Sequence, residues 1–280
     1  LTSIDIPDSV TTIGYGAFES CDALTTVNLG NGVITIGDSA FWGCDALTNI
    51  DLPDGVTTIG DSAFYFCTAL TRIDIPDSVT TIGDDAFYFC TALTSIQVDE
   101  NNPTYSSDEY GVLFNKDKTE LIQYPVNHSR TAYTIPDSVI TIDDYAFCSC
   151  DALTSIDIPD SVITIGDEAF HNCDALTSID MPDSVTTIGA YAFDGTGYYL
   201  NDANWENDVL YLGNHLLKAK DTISGACIIK EGTITIGYEA FLDCRALTGI
   251  DIPDSVITIS GRAFAGCNAL TNIDIPNSVP

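Results

Sequence analysis

The sequence predicts an α/β but β-dominated repeat solenoid of about twelve coils, interrupted by two β-hairpin insertions. Three observations predict it. A Leu-Thr pair recurs every 23 residues, at Leu1, Leu24, Leu47, Leu70 and Leu93, then at Leu153 and Leu176, then at Leu247 and Leu270. Inside each unit the residues after that Leu alternate apolar and polar, the mark of a strand with one buried face. Proline, glycine, phenylalanine and cysteine each return in one fixed phase, so the units are copies of a single design.

The unit reads L-T-x-I-D-I-P-D-S-V-T-T-I-G-x-x-A-F-x-x-C-x-A, and its period lies within the range of leucine-rich repeats. Coils run 1–23, 24–46, 47–69, 70–92, 93–129, 130–152, 153–175, 176–198, 199–223, 224–246, 247–269 and 270–280, the last of them partial. In the first coil Leu1, Ile4 and Ile6 face inward between outward Thr2, Ser3 and Asp5. Pro7 has no N–H to donate and ends that ladder. Val10 and Ile13 turn back to the interior, Gly14 permits a bend, and Ala17, Phe18 and Cys21 complete the filling. One coil is not stable alone. Ordering each residue costs about 1–2 kcal/mol, while each inward side chain returns roughly 1.5–3 kcal/mol only when fully buried. Burial needs a coil above and a coil below, so stability is a property of the stack.

Two coils are long. Gly111-Val112-Leu113-Phe114-Asn115 and Glu120-Leu121-Ile122-Gln123-Tyr124 flank Lys116-Asp117-Lys118-Thr119, a hairpin with a four-residue loop inside an insertion spanning 99–129. Val209-Leu210-Tyr211-Leu212 and His215-Leu216-Leu217-Lys218 flank the tight-turn pair Gly213-Asn214 in an irregular coil, 195–223. The inward pair resumes at Tyr133 and Ile135 and at Cys227 and Ile229.

The pattern C-x-x-L-x-x-I-x-I-P-x-S-V-x-x-I-G-x-x-A-F resembles the leucine-rich repeats of the Bacteroides surface-antigen (BspA-like) and treponemal type, closely in about nine of the twelve coils. Asn101-Asn102-Pro103-Thr104-Tyr105 and Gly195-Thr196-Gly197-Tyr198-Tyr199 resemble irregular units of the same family. The resemblance implies a curved, right-handed superhelix on secreted or surface-anchored bacterial proteins, with roles in adhesion and partner binding. It implies no catalytic residues.

Composition narrows the function further. With 41 acidic and 9 basic residues the net charge is −32, which disfavours nucleic acid and anionic membranes as partners. No apolar run is long enough to span a bilayer, and neither a membrane span nor a signal peptide is expected within the segment, a processed leader before Leu1 staying open. Three histidines and one methionine leave little for a polar catalytic centre. Gly37-Asp38-Ser39 and Gly60-Asp61-Ser62 imitate a hydrolase nucleophile, yet the same slot reads Gly83-Asp84-Asp85 and Gly189-Ala190-Tyr191 elsewhere, so it is a turn. Neither a catalytic residue, a metal site nor a cofactor is expected. Asn127-His128-Ser129 is a lone glycosylation sequon.

Eight cysteines (Cys21, Cys44, Cys67, Cys90, Cys150, Cys173, Cys244, Cys267) hold one repeat position and read as reduced core thiols, pointing the same way and not converging on zinc. Cys148, one residue after the core Phe, is expected at the surface. A column of carboxylates, Asp5, Asp51, Asp74, Asp157, Asp180, Asp251 and Asp274, forms an acidic face whose repulsion, about 1 kcal/mol per neighbouring pair in water, solvent, weak divalent cations or a cationic partner could relieve. Three consecutive coils carry aromatic residues after the core Phe: Trp42, then Tyr65 with Phe66, then Tyr88 with Phe89. These either form a partner-binding strip or are covered by hairpin residues such as Tyr105 and Phe114. In the first case Tyr65→Ala and Tyr88→Ala leave the melting temperature nearly unchanged. Both ends are without visible caps, as a segment of a longer chain or a head-to-tail assembling subunit would be. The expected function is a non-enzymatic extracellular or cell-surface interaction module binding a host, matrix or partner protein; the alternative is a self-assembling subunit of a filament or layer.

Overall fold

The computed structural model describes residues 1–279; Pro280 lies outside the described residues. The chain winds into about eleven β-solenoid turns. The twelfth, partial coil of the sequence frame adds no strand, since residues 271–276 are irregular. Residues group into two compact units: Leu1–Arg130 with Tyr145–Ala152, and Thr131–Asp144 with the chain from Leu153 onward.

In the first unit, Ser3–Asp5 pairs in parallel with Thr26–Asn28, Ile4 lying beside Val27. A second ladder, formed by the Thr-Ile pairs Thr12–Ile13, Thr35–Ile36, Thr58–Ile59 and Thr81–Ile82, makes a four-stranded parallel sheet. Between the two ladders the Pro-Asp-Ser-Val segment closes a turn, with Val10 N–H donating to Pro7 O at 3.0 Å. The second unit repeats the plan. Ala132–Thr134, Ser155–Asp157 and Ser178–Asp180 stack in parallel, as do Thr141–Ile142, Thr164–Ile165 and Thr187–Ile188.

The helical component expected of the repeat is not realised. The described residues hold one four-residue α-helix, Gly197–Leu200, and one 3-10 turn, Asp202–Asn204. The reason lies in where the amides of the third side point. Ala17, Glu19 and Cys21 donate to the carbonyls three residues back, whereas Gly16, Phe18 and Ser20 donate to Asp38, Ala40 and Trp42 of the next coil. A helix would consume every one of these amides internally. Alternation spends half of them on stacking, and it requires left-handed backbone at the residues between: Gly16 (φ 56°) and Ser20 (φ 54°), then Ser39 and Gly43, then Ser62 and Phe66.

Side chains of equal phase pile into columns. Phe18, Phe41, Phe64 and Phe87 stack at centroid separations of 5.3, 5.5 and 5.9 Å, nearly parallel. The thiols pack beside them, all ten free. In the first unit three of them also donate a hydrogen bond: Cys44 Sγ to Phe18 O, Cys67 Sγ to Phe41 O and Cys90 Sγ to Phe64 O, all at 3.2 Å. Cysteine thus fills the core as a small apolar group while serving a carbonyl of the preceding coil. Burial pushes the Cys44 and Cys90 thiols up to about 12, so they stay protonated and are poor nucleophiles. Cys148 is a correction: it is buried, with its Sγ 3.7 Å from the Tyr88 hydroxyl, and not at the surface.

The long coils carry antiparallel strands. Leu113–Asn115 pairs with Glu120–Gln123 and, on its other side, with a third strand, Tyr105–Ser107. Asn115 Oδ1 accepts from the Thr119 and Glu120 amides and closes the loop. In the second unit Val209–Leu212 pairs with His215–Ala219 across Gly213-Asn214, and Trp205–Glu206 adds an outer strand.

His215 sets a pH dependence. Its ring is 1 % exposed and its Nδ1 has no hydrogen-bond partner among the described residues. Burial pulls the imidazole down to about 4, with the Val185 backbone pulling the other way. The unfolded chain therefore takes up a proton below pH ~6.5 that the folded chain refuses until about pH 4. Stability from this group is complete above the upper value and lost as pH falls through the window, up to roughly 3 kcal/mol. Urea unfolding of wild type and His215→Gln from pH 7.5 to pH 4.5 should show the wild-type advantage shrinking with acidification. A constant difference would refute it.

Candidate functional site

The aromatic residues of the first unit form a connected cluster. Trp42 meets Tyr65 edge-on at 5.1 Å, and Tyr65 meets Tyr88 at 5.1 Å. In a parallel row Phe66 stacks on Phe89 at 4.7 Å, and each ring touches the tyrosine beside it in sequence, at 4.9 and 4.6 Å. The repeat places them: successive coils carry these side chains in the same phase, and inter-coil bonds such as Gly43 N–H to Tyr65 O (2.8 Å) and Phe66 N–H to Tyr88 O (3.0 Å) fix the spacing.

Exposure grades along the strip. Trp42 and Phe66 are each 37 % exposed, Tyr65 and Phe89 are half-buried, and Tyr88 is buried. Tyr88 is met by side chains of a later coil, its hydroxyl lying 3.7 Å from Cys148 Sγ. Tyr105 turns its hydroxyl to the Ile82 amide at 2.9 Å, and Phe114 is wholly inside the core. Tyr145, at 4.5 Å, closes over Tyr88. Tyr145 does not figure among the sequence-derived site residues because it sits three positions earlier in its coil than the strip does. The long coil 93–129 places Tyr124 in the Phe slot, stacked on Phe147 at 5.0 Å, and follows it with Pro125, so no ring of that coil extends the strip.

Burial splits the expected effects. Tyr88→Ala should cost about 3 kcal/mol, as a buried aromatic truncation does, whereas Trp42→Ala should cost under about 1 kcal/mol. Urea denaturation of the two variants checks this; equal losses would place both rings in the core.

Two backbones in the strip are unusual. Phe66 (φ 60°) and Phe89 (φ 55°) adopt the left-handed conformation at a position where other coils use Ser20, Gly43, Ser149, Asn172, Gly195, Asp243 and Gly266. Bulky side chains rarely accept that region, and each such residue costs on the order of 1 kcal/mol.

The acidic column is solvent-facing. Asp5, Asp51, Asp74, Asp157, Asp180, Asp251 and Asp274 are all exposed. Several find local partners: Asp5 accepts from Asn28 Nδ2 at 2.5 Å, Asp51 from Asn49 Nδ2 at 3.0 Å, and Asp74 pairs with Arg72 at 2.7 Å. In the second unit Asp157 lies in register beside Asp180, and with Asp137, Asp160 and Asp183 they rim a groove of about 770 Å³. Among the described residues no three His, Cys, Asp or Glu side chains are grouped to hold a metal ion. The Gly-Asp-Ser slot is structural: Asp38 Oδ1 accepts the Asp61 amide and Asp61 Oδ1 the Asp84 amide, each at 3.1 Å. No described helix is long and apolar enough to cross a membrane.

Parallel ladders of one short strand per turn, a leucine and phenylalanine spine, and a period of 23 residues define a β-solenoid of the leucine-rich repeat class. The chain belongs to the BspA type leucine rich repeat family, whose model matches residues 1–110, 126–228 and 220–280 in six copies. Among solved structures it is similar to a leucine-rich repeat protein from Eubacterium ventriosum, with 29% identity, TM-score 0.66, and coverage of 100% of this chain and 80% of that one. It is similar also to a leucine rich cell surface protein from Faecalibacterium prausnitzii, with 32% identity, TM-score 0.56, and coverage of 98% and 79%. The pneumococcal vaccine antigen PcpA shares the fold at 22% identity and TM-score 0.58, over 99% of this chain and 73% of that one. No curated protein matches the chain.

Proposed function

We propose that the chain is a non-enzymatic protein-interaction module of a bacterial surface, and that it adheres to a host or matrix protein through the strip formed by Trp42, Tyr65, Phe66 and Phe89. The observation that carries this reading is the pair of phenylalanines held in left-handed backbone, at a position where the other coils place the smaller Gly, Ser, Asn or Asp. Exposed aromatics offer large contact area at small entropic cost, the composition of interface centres. The surface setting draws on the cell surface protein that is 32% identical to this chain.

The test is binding to immobilised fibronectin, laminin and collagen, with wild type compared against a Trp42→Ala/Phe66→Ser double variant. The variant should keep its melting temperature within a few degrees and lose at least ~10-fold in affinity, about 1.4 kcal/mol. Equal binding by the two proteins would remove the strip from the interface. Binding by neither, with fibres in negative stain, would replace adhesion with structural self-assembly.

A further inference from the structure

The Asp column of the strand face has one apolar occupant. Ile228 takes the position held by Asp5, Asp51, Asp74, Asp157, Asp180, Asp251 and Asp274, and it is 76 % exposed. It lies on Ser224–Ile228, a strand bonded on one side only, to Ala246–Asp251, with Ile228 in register beside Asp251. Ile229 donates to Asp251 O at 3.0 Å, so the alternation of strand amides turns the Ile228 N–H toward the opposite side. The strand entering the first insertion is treated differently: Ile96 donates to Gly111 O at 2.9 Å and Val98 to Ser107 Oγ at 3.0 Å, which covers its edge. Among the described residues Ser224–Ile228 has no such cover. Its open edge borders a groove of about 640 Å³, lined by Val209, Tyr211 and Ile223 and rimmed by Glu206, Asp208 and Lys230.

We propose that this edge is a strand-addition site for an extended cationic peptide of a partner protein, distinct from the aromatic strip. Main-chain pairing to the Ala226 and Ile228 groups supplies affinity, and Ile228 with the groove takes alternate apolar side chains. The rim sets the sign of the partner's charge. Lys230 is already paired with Glu206 at 3.8 Å, which leaves Asp208 and the neighbouring Asp251 to meet basic side chains on a chain of net charge −32. Natural proteins blunt free edges with charge, bulges or cover; here the one charge that the repeat would have placed on the edge strand is replaced by isoleucine.

The probe is a short acetylated and amidated peptide alternating lysine and valine, read by hydrogen–deuterium exchange and calorimetry on the whole chain. The Ile228 amide should exchange on the order of tenfold more slowly with peptide bound. Ile228→Thr, which copies Thr134 at the same position, should weaken binding about tenfold. A backbone N-methylated analogue should not bind. Equal binding by a lysine–glycine peptide of the same charge, with Ile228 unprotected, would reduce the effect to adsorption on an acidic surface and overturn the proposal. Protection of Ile228 that rises with protein concentration in the absence of peptide would assign the edge to a second copy, and would overturn it equally.

Discussion

Gly83→Ala should abolish or nearly abolish cooperative folding of the first unit, a loss of more than ~4 kcal/mol in urea unfolding. Gly83 does not have a left-handed backbone; what it lacks is room. Its amide donates to Ile59 O at 2.8 Å, which draws the coil down onto its predecessor. A Cβ there would collide with Asp61 Oδ1 and Asp61 N and stand 2.6 Å from Gly60 C. The colliding carboxylate cannot swing aside cheaply, because Asp61 Oδ1 accepts the Asp84 amide, and the backbone beneath it cannot move without opening the ladder. Gly60, Gly166 and Gly189 meet the same obstruction. Gly14 is the control: a Cβ there meets nothing within 4 Å, so Gly14→Ala should be tolerated. Comparable melting temperatures for Gly83→Ala and Gly14→Ala would show that the glycine column does not set the coil spacing.

Asn102→Leu should destabilise the first unit by at least ~3 kcal/mol and loosen the insertion that follows. Asn102 is fully buried, and its amide is satisfied on both sides. Nδ2 donates to Pro76 O at 2.7 Å and Val79 O at 2.9 Å, and Oδ1 accepts from Thr104 N at 2.9 Å and Tyr105 N at 2.8 Å. Leucine matches the volume and serves none of the four groups, each of which would then be buried without a partner. Asn102→Asp retains the acceptor but directs a charge at two carbonyls, so it should not rescue. Hydrogen exchange at Thr104 and Tyr105 reports the local effect and urea midpoints the global one. A loss below 1 kcal/mol would mean that the insertion is held by its strands alone.

Much of the solenoid is written in the spacing of a few residue types. Leu24, Ile36, Phe41 and Leu47 are wholly buried because the period returns each of them to the same wall, and no contact beyond coil-on-coil stacking is needed to infer that. The glycine column and the thiol column were equally visible as columns. Their roles were not. Nothing in G-D-S states that an aspartate oxygen occupies the space of the next coil's missing side chain, and nothing in F-x-x-C states that the thiol donates to a carbonyl 26 residues earlier. The aromatic strip was legible as three coils departing from the consensus, but its gradation from half-open Trp42 to buried Tyr88 was not, because Tyr145 closes over it from a different phase of the repeat.

Periodicity alone therefore determined which columns of side chains form the core, where the chain turns, and that one coil rests on another, since these follow from apolar spacing and from proline's missing donor. Packing between coils decided the rest. It turned the third side of the regular coils into alternating bonds and left-handed residues in place of helix, buried Cys148, and left Ser224–Ile228 paired on one side only. Those outcomes depend on how amides and side chains some 23 residues apart compete for the same few ångströms, and a linear pattern holds no record of that competition.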